Sequence, residues 1–248
     1  MDRIIELVKT RIPQRFSLDP IRDIQVLCPM NRGGVGARSL NSELQTVLNP
    51  AGERKVERFG WTFAPGDKVM QIENDYEKAV YNGDIGYIDD VNPEEGELTV
   101  RFDGVVSYGF GELDALVPSY AATIHKSQGS EYPAVVIPIL TQHYAMLQRN
   151  LLYTGITRGK RLVVLVGQRK AIAIAVRNVS GRRRWSKLRE WLAAPSSAGS
   201  AGEPAWPLLS NDSSARNRVS AGPVGRGGCV ARAIPLGYGG IWAEWPSE

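Results

Sequence analysis

The segment that decides the fold is Tyr120-Ala121-Ala122-Thr123-Ile124-His125-Lys126-Ser127-Gln128-Gly129-Ser130-Glu131-Tyr132, which packs hydroxyl, imidazole, ammonium, amide and carboxylate groups together. The apolar run Ala134-Val135-Val136-Ile137-Pro138-Ile139 follows at once and predicts a buried strand. Dense polar chemistry beside a buried strand is typical of α/β domains, which place ligand-contacting groups at the edge of a sheet. Thr, His, Lys and Ser suit a phosphodiester backbone, whereas Gln and Glu suit a nucleotide.

Further apolar runs on both sides of this segment predict the rest of an α/β domain. Ile24–Met30 and Arg161–Gly167 are apolar enough to form buried strands, and a glycine-rich turn at 33–36 follows the first of them. Apolar residues at helical spacing predict helices over Asp2–Arg15, Ser39–Leu48, Met146–Thr157 and Gln168–Asn178.

Residues 67–114 have a different pattern, in which short β-rich runs alternate with turns. Asn82-Gly83 and Asp103-Gly104 are strong hairpin signals, and several short strands in so small a space predict a small antiparallel barrel. The sequence therefore predicts an α/β domain of residues 1–66 and 115–194 with the barrel of residues 67–114 inserted. After Ala194 the composition shifts to Ser, Gly, Ala, Pro and Arg, which predicts a disordered tail over 195–248.

Charge is distributed unevenly along the chain, although the net charge is only +4. Residues 73–114 are rich in acids opposed only by Lys78 and Arg101, whereas residues 149–189 contain Arg and Lys and no acid. A basic half suits a polyanionic ligand, although a solvated helix face would have the same composition.

The two cysteines have no metal-ligand spacing and exclude a disulfide framework. No signal peptide and no run long enough to span a bilayer is present, so we expect a cytoplasmic protein without membrane contact.

Four blocks of the sequence together resemble the C-terminal motor domain of RecD-like DNA helicases of superfamily one, a UvrD-like C-terminal domain. The third and fourth blocks, motifs V and VI of that family, are the most specific, and all four occur in the family order. They are Val26–Pro50, Gly66–Gly86, Tyr120–Glu131 and Leu151–Lys160.

The resemblance implies a RecA-like fold of the P-loop NTPase type, in which a small β-barrel of the Src-homology type is inserted into a parallel-sheet domain. In that family ATP binds between two motor domains, single-stranded DNA crosses both, and unwinding proceeds 5′ to 3′. The resemblance also implies a place in DNA repair and recombination, and protein partners that the barrel could bind.

The resemblance implies a role in ATP hydrolysis for several residues of the last two blocks. Arg158 resembles the arginine finger, because a guanidinium suits the charge on a transferring phosphoryl group. Gln128, Gly129 and Glu131 resemble nucleotide-binding groups, and a carboxylate can accept a hydrogen bond from a ribose hydroxyl. The structural alternatives are an arginine on a basic helix and a glutamate that caps a helix.

DNA contacts are implied for Thr123, His125, Lys126 and Ser127, which would bind phosphates and so fix position without selecting sequence. Out of this context, a lone histidine such as His125 is more often a satisfied structural residue. Asn82 first serves a hairpin turn, and a DNA contact there is a secondary expectation.

The sequence contains no phosphate loop, since the nearest match, Gly155–Arg161, is one residue short and lies inside motif VI. We therefore expect an N-terminal motor domain, absent from this chain, to bind most of the ATP and Mg²⁺, and we expect this chain alone to be inactive. The alternatives are a non-catalytic single-stranded DNA-binding remnant, a protein-interaction module built on the barrel, and the closely similar relaxase-associated helicases.

Overall fold

The structure is a computed structural model that describes residues 1–179 and the backbone of 230–235. Its helices are α1 (Asp2–Glu6), which continues through a π-helical turn (Leu7–Arg11) into α2 (Ile12–Phe16), then α3 (Ala37–Leu48), α4 (Arg149–Ile156) and α5 (Arg169–Arg177), with 3₁₀ turns at Leu113–Ala115 and Thr141–Met146. Its strands are β1 (Ile24–Cys28), β2 (Val56–Arg58), β3 (Trp61–Phe63), β4 (Lys68–Gln71), β5 (Ile85–Asn92), β6 (Glu97–Arg101), β7 (Val105–Gly109), β8 (Leu116–Pro118), β9 (Ala121–Thr123), β10 (Tyr132–Ile139), β11 (Gly159–Gly167) and β12 (Val230–Pro235).

A parallel sheet forms the centre of the α/β part, with β11, β10, β1 and β9 adjacent in that order. Helices cover both faces, so successive residues of one strand enter different cores. Val26 packs with Leu40 and Leu44 of α3, whereas Leu27 packs in the cluster that α4 and α5 cover. Burial on both faces explains why these strands are continuous apolar runs and not alternating ones.

An antiparallel sheet of order β7-β6-β5-β4-β8, with the β2–β3 hairpin packed against it, encloses a separate core. Tyr108 and Phe63 are the largest side chains buried there. The core extends from Val56 to Leu116, somewhat beyond the predicted segment 67–114 at both ends. The predicted fold class, a parallel α/β domain with an inserted small antiparallel β domain, is confirmed.

A buried carboxylate joins the two parts. Asp67, which is 0% exposed, accepts hydrogen bonds from Tyr120 Oη (2.7 Å), Asn49 Nδ2 (2.7 Å), Gln45 Nε2 (2.6 Å) and the Ala64 amide (2.8 Å). Burial raises the pKa of this carboxyl, and the four hydrogen bonds lower it in part. The Asp67 cluster therefore ties α3, the start of β4 and the beginning of the polar segment to one another.

Lys68, the next residue, is 1% exposed and lies between the two parts. Its ammonium donates to the Ile24 carbonyl at 3.3 Å and lies 5.7 Å from the centroid of the Tyr132 ring. Burial lowers the pKa of Lys68 to about 7, and the nearby charges of Asp19 and Asp23 oppose that shift. A cation without a carboxylate in direct contact is costly to bury.

Replacement of Lys68 by methionine is expected to stabilise the fold at low pH and not at high pH. Between pH 7 and pH 10.5 the unfolded chain holds a proton that folded Lys68 has lost, so the unfolding free energy of the native sequence rises with pH. Below pH 7 the full cost of the buried ammonium is present, and Lys68→Met should be more stable by about 1–4 kcal/mol. Urea unfolding at several pH values measures the difference.

Exposed Lys9 offers a matched control, since Lys9→Met removes an equal charge that is not buried. Its stability relative to the native sequence should not change between pH 6 and pH 10. If the unfolding free energy changes with pH in the same way for Lys68→Met and for the native sequence, the claim that Lys68 is a costly buried cation is wrong.

The predicted disordered tail lies outside the described residues except at β12, where the backbone forms a strand antiparallel to β11 that the sequence did not indicate. Within the described ranges, no helix has both the length and the hydropathy that a bilayer crossing requires.

Candidate nucleotide and nucleic-acid site

The polar segment runs from the carboxyl ends of the parallel strands to their amino ends, which are called here the carboxyl edge and the amino edge of the sheet. Thr123 pairs with Cys28 at the carboxyl end of β1, whereas Tyr132 pairs with Gly159 at the amino ends of β10 and β11. Val26 pairs with Val136, so Cys28 and its partner Thr123 lie level with Pro138 of β10, six residues beyond Tyr132. At ~3.3 Å per residue, six residues correspond to roughly 20 Å along the strands. The segment therefore presents its first and last side chains at opposite edges of the sheet.

Two side-chain amides hold the beginning of the segment, and sequence reasoning gave neither a role. Asn41 donates to the Ala121 carbonyl (2.8 Å) and accepts from the Ala121 amide (2.7 Å), as a neighbouring strand would. Gln25 Nε2 donates to the carbonyls of Ser119 (3.1 Å) and Tyr120 (3.3 Å). A glutamine inside the apolar run of β1 was the available signal, since a buried amide needs partners.

At the carboxyl edge, His125 and Lys126 are exposed, and their side chains form no hydrogen bond or ion pair with another described residue. Thr123 is half-buried, and its hydroxyl accepts a hydrogen bond from the Lys126 amide at 3.4 Å. Ser127 differs from its neighbours because it is 0% exposed and donates its hydroxyl to the Ile124 carbonyl at 2.8 Å. A phosphate contact through the Ser127 hydroxyl would require that bond to break.

At the amino edge, Arg158 meets the end of the polar segment. Its guanidinium donates to the carbonyls of Thr154 (3.2 Å) and Ser130 (3.2 Å) and to the Thr157 hydroxyl (3.3 Å). The Tyr132 amide donates to the Arg158 carbonyl at 2.8 Å, which joins the two predicted blocks. No described carboxylate pairs with Arg158, so its positive charge is positioned but not neutralised.

Glu131 and Lys160 form an ion pair at 3.0 Å beside Arg158, with side chains 56% and 59% exposed. A pair this exposed is worth about 0–1 kcal/mol, so a ligand hydroxyl could compete for the carboxylate at little cost. Gly129 has a φ of 89°, a conformation that side chains rarely adopt, with open space around the position of a Cβ. The turn therefore needs glycine at this position because of the positive φ angle, and not because a side chain would collide with neighbouring atoms.

Helix α4 carries Arg158 just beyond its end, and Gly155 sets how closely the helix approaches the sheet. A Cβ at Gly155 would lie 3.0 Å from Ile137 Cδ1 and 3.3 Å from Ile124 Cδ1. Since Ile124 belongs to the polar segment and Ile137 to β10, this glycine fixes the spacing among the three elements.

Models of two protein families match successive parts of the chain. The SH3 domain of ATP-dependent RecD-like DNA helicases matches residues 40–102, and the UvrD-like helicase C-terminal domain matches residues 118–166. Residues 40–166 are thus similar to the C-terminal region of RecD-like helicases. The second match contains both the polar segment and Arg158, and the first contains most of the antiparallel core.

Relatives of the RecD-like family include an ATP-dependent RecD2 DNA helicase from Deinococcus radiodurans, 40% identical over 153 residues that make up 61% of this chain and 21% of that protein. The RecBCD enzyme subunit RecD of Mycolicibacterium smegmatis is 31% identical over 66% of this chain and 28% of its own length. The chain thus spans about a quarter of these relatives. A Bacteroides Pif1 helicase crystal structure, with ADP-AlF3 and single-stranded DNA, overlaps with a TM-score of 0.41 at 18% identity, over 64% of this chain and 43% of that one.

Asn82 lies in the RecD-like SH3 segment, where it is exposed and serves a turn. Its backbone N–H donates to Asn74 Oδ1 at 2.9 Å, and Gly83 follows with a φ of 104°. Exposed Tyr76 and Tyr81 pack edge to face nearby, with ring centroids 6.0 Å apart. The hairpin role of Asn82 is therefore visible, and its contact with DNA stays a prediction. Among the described residues, no group of three His, Cys, Asp or Glu converges as metal ligands would.

Proposed function

We propose that this chain is the C-terminal motor half of an ATP-dependent DNA helicase, which supplies the arginine finger and part of the single-stranded DNA track. One observation carries the proposal: a single segment links the exposed, unpaired His125 and Lys126 at the carboxyl edge of the sheet to the unneutralised Arg158 at the amino edge. A motor needs such a connection, because a change at the bound nucleotide must alter the contacts with the DNA strand.

At the amino edge, Arg158 would stabilise the charge that develops on the γ-phosphoryl group of ATP. Glu131 would exchange Lys160 for a ribose hydroxyl, while Gln128 and the Gly129 backbone line the approach. These residues fit the phosphate and ribose of a nucleotide but include no carboxylate pair for Mg²⁺. The remaining contacts to ATP and Mg²⁺ would come from an N-terminal motor domain that carries a phosphate loop.

At the carboxyl edge, Thr123, His125 and Lys126 would contact the phosphates of single-stranded DNA. Such contacts hold the strand without reading its sequence, as translocation requires. Unwinding from 5′ to 3′ belongs to the proposal on the strength of the family alone. Roles in DNA repair and recombination rest on the same likeness, and the cytoplasmic location stays the prediction made from the sequence.

The chain by itself is expected to hydrolyse no ATP, with or without single-stranded DNA, because half of the nucleotide site is elsewhere. A steady-state ATPase assay on the purified chain tests this. Turnover that depends on Arg158 would contradict it. DNA binding by the chain, together with no turnover when an N-terminal motor domain is added, would favour the non-catalytic remnant instead.

Removal of Lys126 is expected to weaken binding to single-stranded DNA uniformly across sequences. Each phosphate neutralised contributes about 0.7 to the slope of log affinity against log salt concentration, so Lys126→Ala should lower the steepness by about that amount. Fluorescence anisotropy with labelled oligonucleotides between 50 and 200 mM salt measures it. Lys9→Ala, which removes an exposed lysine from the helical segment before β1, should leave the slope unchanged, and equal slopes for both variants would argue against the proposed track.

A further inference from the structure

A cavity of about 220 Å³ lies between the polar segment and α4, and Gln128 is the one residue of its wall that is also proposed to contact ATP. Its wall combines side chains that form hydrogen bonds with an apolar surface. The polar members are His125, Gln128, Gln148, Asn150 and Thr154, and the apolar members are Met146 and Leu151.

The polar groups around the cavity have hydrogen-bonding capacity to spare. The side-chain amides of Gln128 and Gln148 bond to no described residue, and Asn150 uses only Oδ1, which accepts from the Leu151 amide at 3.0 Å. The buried amide of Asn41 behaves differently, since it both donates to and accepts from the backbone of Ala121. Convergent unpaired polar groups over an apolar wall are the marks of a ligand site.

The position of the cavity indicates which ligand it takes. Met146 and Gln148 follow the carboxyl end of β10, so the cavity opens beside His125 and Lys126. Arg158 lies toward the opposite edge of the sheet, at the start of β11. No acidic side chain lines the cavity, so a polyanion meets no repulsion there.

We propose that this cavity receives one nucleobase of the single-stranded DNA whose phosphates contact His125 and Lys126, an inference that rests on the proposed function. The volume is below the ~300–1,000 Å³ of sites for drug-sized ligands, and it suits a base without its sugar and phosphate. Met146 and Leu151 would pack on the face of the base. Because a glutamine or asparagine amide offers a donor and an acceptor, the cavity accepts any base with weak preference.

The experiment compares two fluorescent oligonucleotides of about 12 nucleotides, one of thymidine and one abasic, which carry the same phosphates. The native chain should bind the thymidine oligomer at least about tenfold more tightly, since base contacts add to phosphate contacts. Gln148→Leu, which touches no residue proposed for ATP, should shrink that difference by about three- to tenfold and leave the abasic affinity unchanged. Gln14→Leu, an exposed glutamine on α2, is the matched control and should change neither affinity.

The outcomes separate this inference from the proposed function. Equal native affinity for the two oligomers, or equal weakening of both by Gln148→Leu, overturns the base cavity and leaves the DNA track standing. Failure to bind either oligomer overturns the proposed function itself. An ATP arm tests the other source of a base: displacement of the thymidine oligomer by ATP, with ATP affinity lowered in Gln148→Leu, would assign the cavity to adenine and overturn the DNA base.

Discussion

Arg158→Ala is expected to reduce DNA-stimulated ATP turnover by about 10³-fold or more in a motor that contains this region. Such a motor can be made by replacing the matching 153-residue region of the Deinococcus radiodurans RecD2 helicase with the corresponding residues of this chain. The physical reason is that Arg158 is held by three hydrogen bonds and has no described carboxylate partner, so its charge is free to act on a phosphoryl group. Lysine at 158 should not restore turnover, because it lacks the planar fork.

Two controls separate catalysis from folding in the Arg158 experiment. Arg161→Ala removes an exposed cation of β11 and should leave turnover within a few fold of the native value. Thermal unfolding tests whether loss of the bonds to Thr154 and Ser130 loosens the fold. The proposed role of Arg158 as an arginine finger is wrong if Arg158→Ala retains more than a tenth of native turnover. It is also wrong if the loss of activity parallels a loss of folded protein.

The parallel sheet could be predicted where strands are long and buried on both faces. β10 and β11 are continuous apolar runs, which is the signal that such strands carry. β9 could not be found in the same way, because only Ala121–Thr123 form it, inside a polar stretch. It exists because the free edge of β1 accepts it and Asn41 pairs with its other side. That pairing depends on residues 80 apart in sequence.

The sequence singles out the residues of the candidate site but not their arrangement. Nothing in the spacing shows that Ser127 faces inward while His125 and Lys126 face solvent, since a turn of this kind has no simple period. The roughly 20 Å between Thr123 and Tyr132 follows from strand register, which a single sequence does not specify. The assigned roles of these residues stay predictions.

Asp67→Ala is expected to lower the free energy of unfolding by roughly 3–5 kcal/mol, because several buried donors would lose their acceptor at ~1–3 kcal/mol each and water could reach some of them. Those donors belong to Tyr120, Asn49, Gln45 and Ala64. Domains of this size are stable by only about 5–15 kcal/mol, so much of the margin would be lost. Urea unfolding followed by circular dichroism measures the change.

The matched control is Asp90→Ala, which removes a carboxylate of the same antiparallel unit from an ion pair with Arg54 at 2.7 Å. Both side chains of that pair are more than half exposed, so the expected cost is below about 1 kcal/mol. A second measurement distinguishes a role of Asp67 in positioning the polar segment from its contribution to the stability of the fold. Because Tyr120 begins the segment that carries His125 and Lys126, Asp67→Ala should also weaken binding to single-stranded DNA at a temperature where it is still folded. Native affinity under those conditions would show that the Asp67 cluster stabilises the fold without positioning the track.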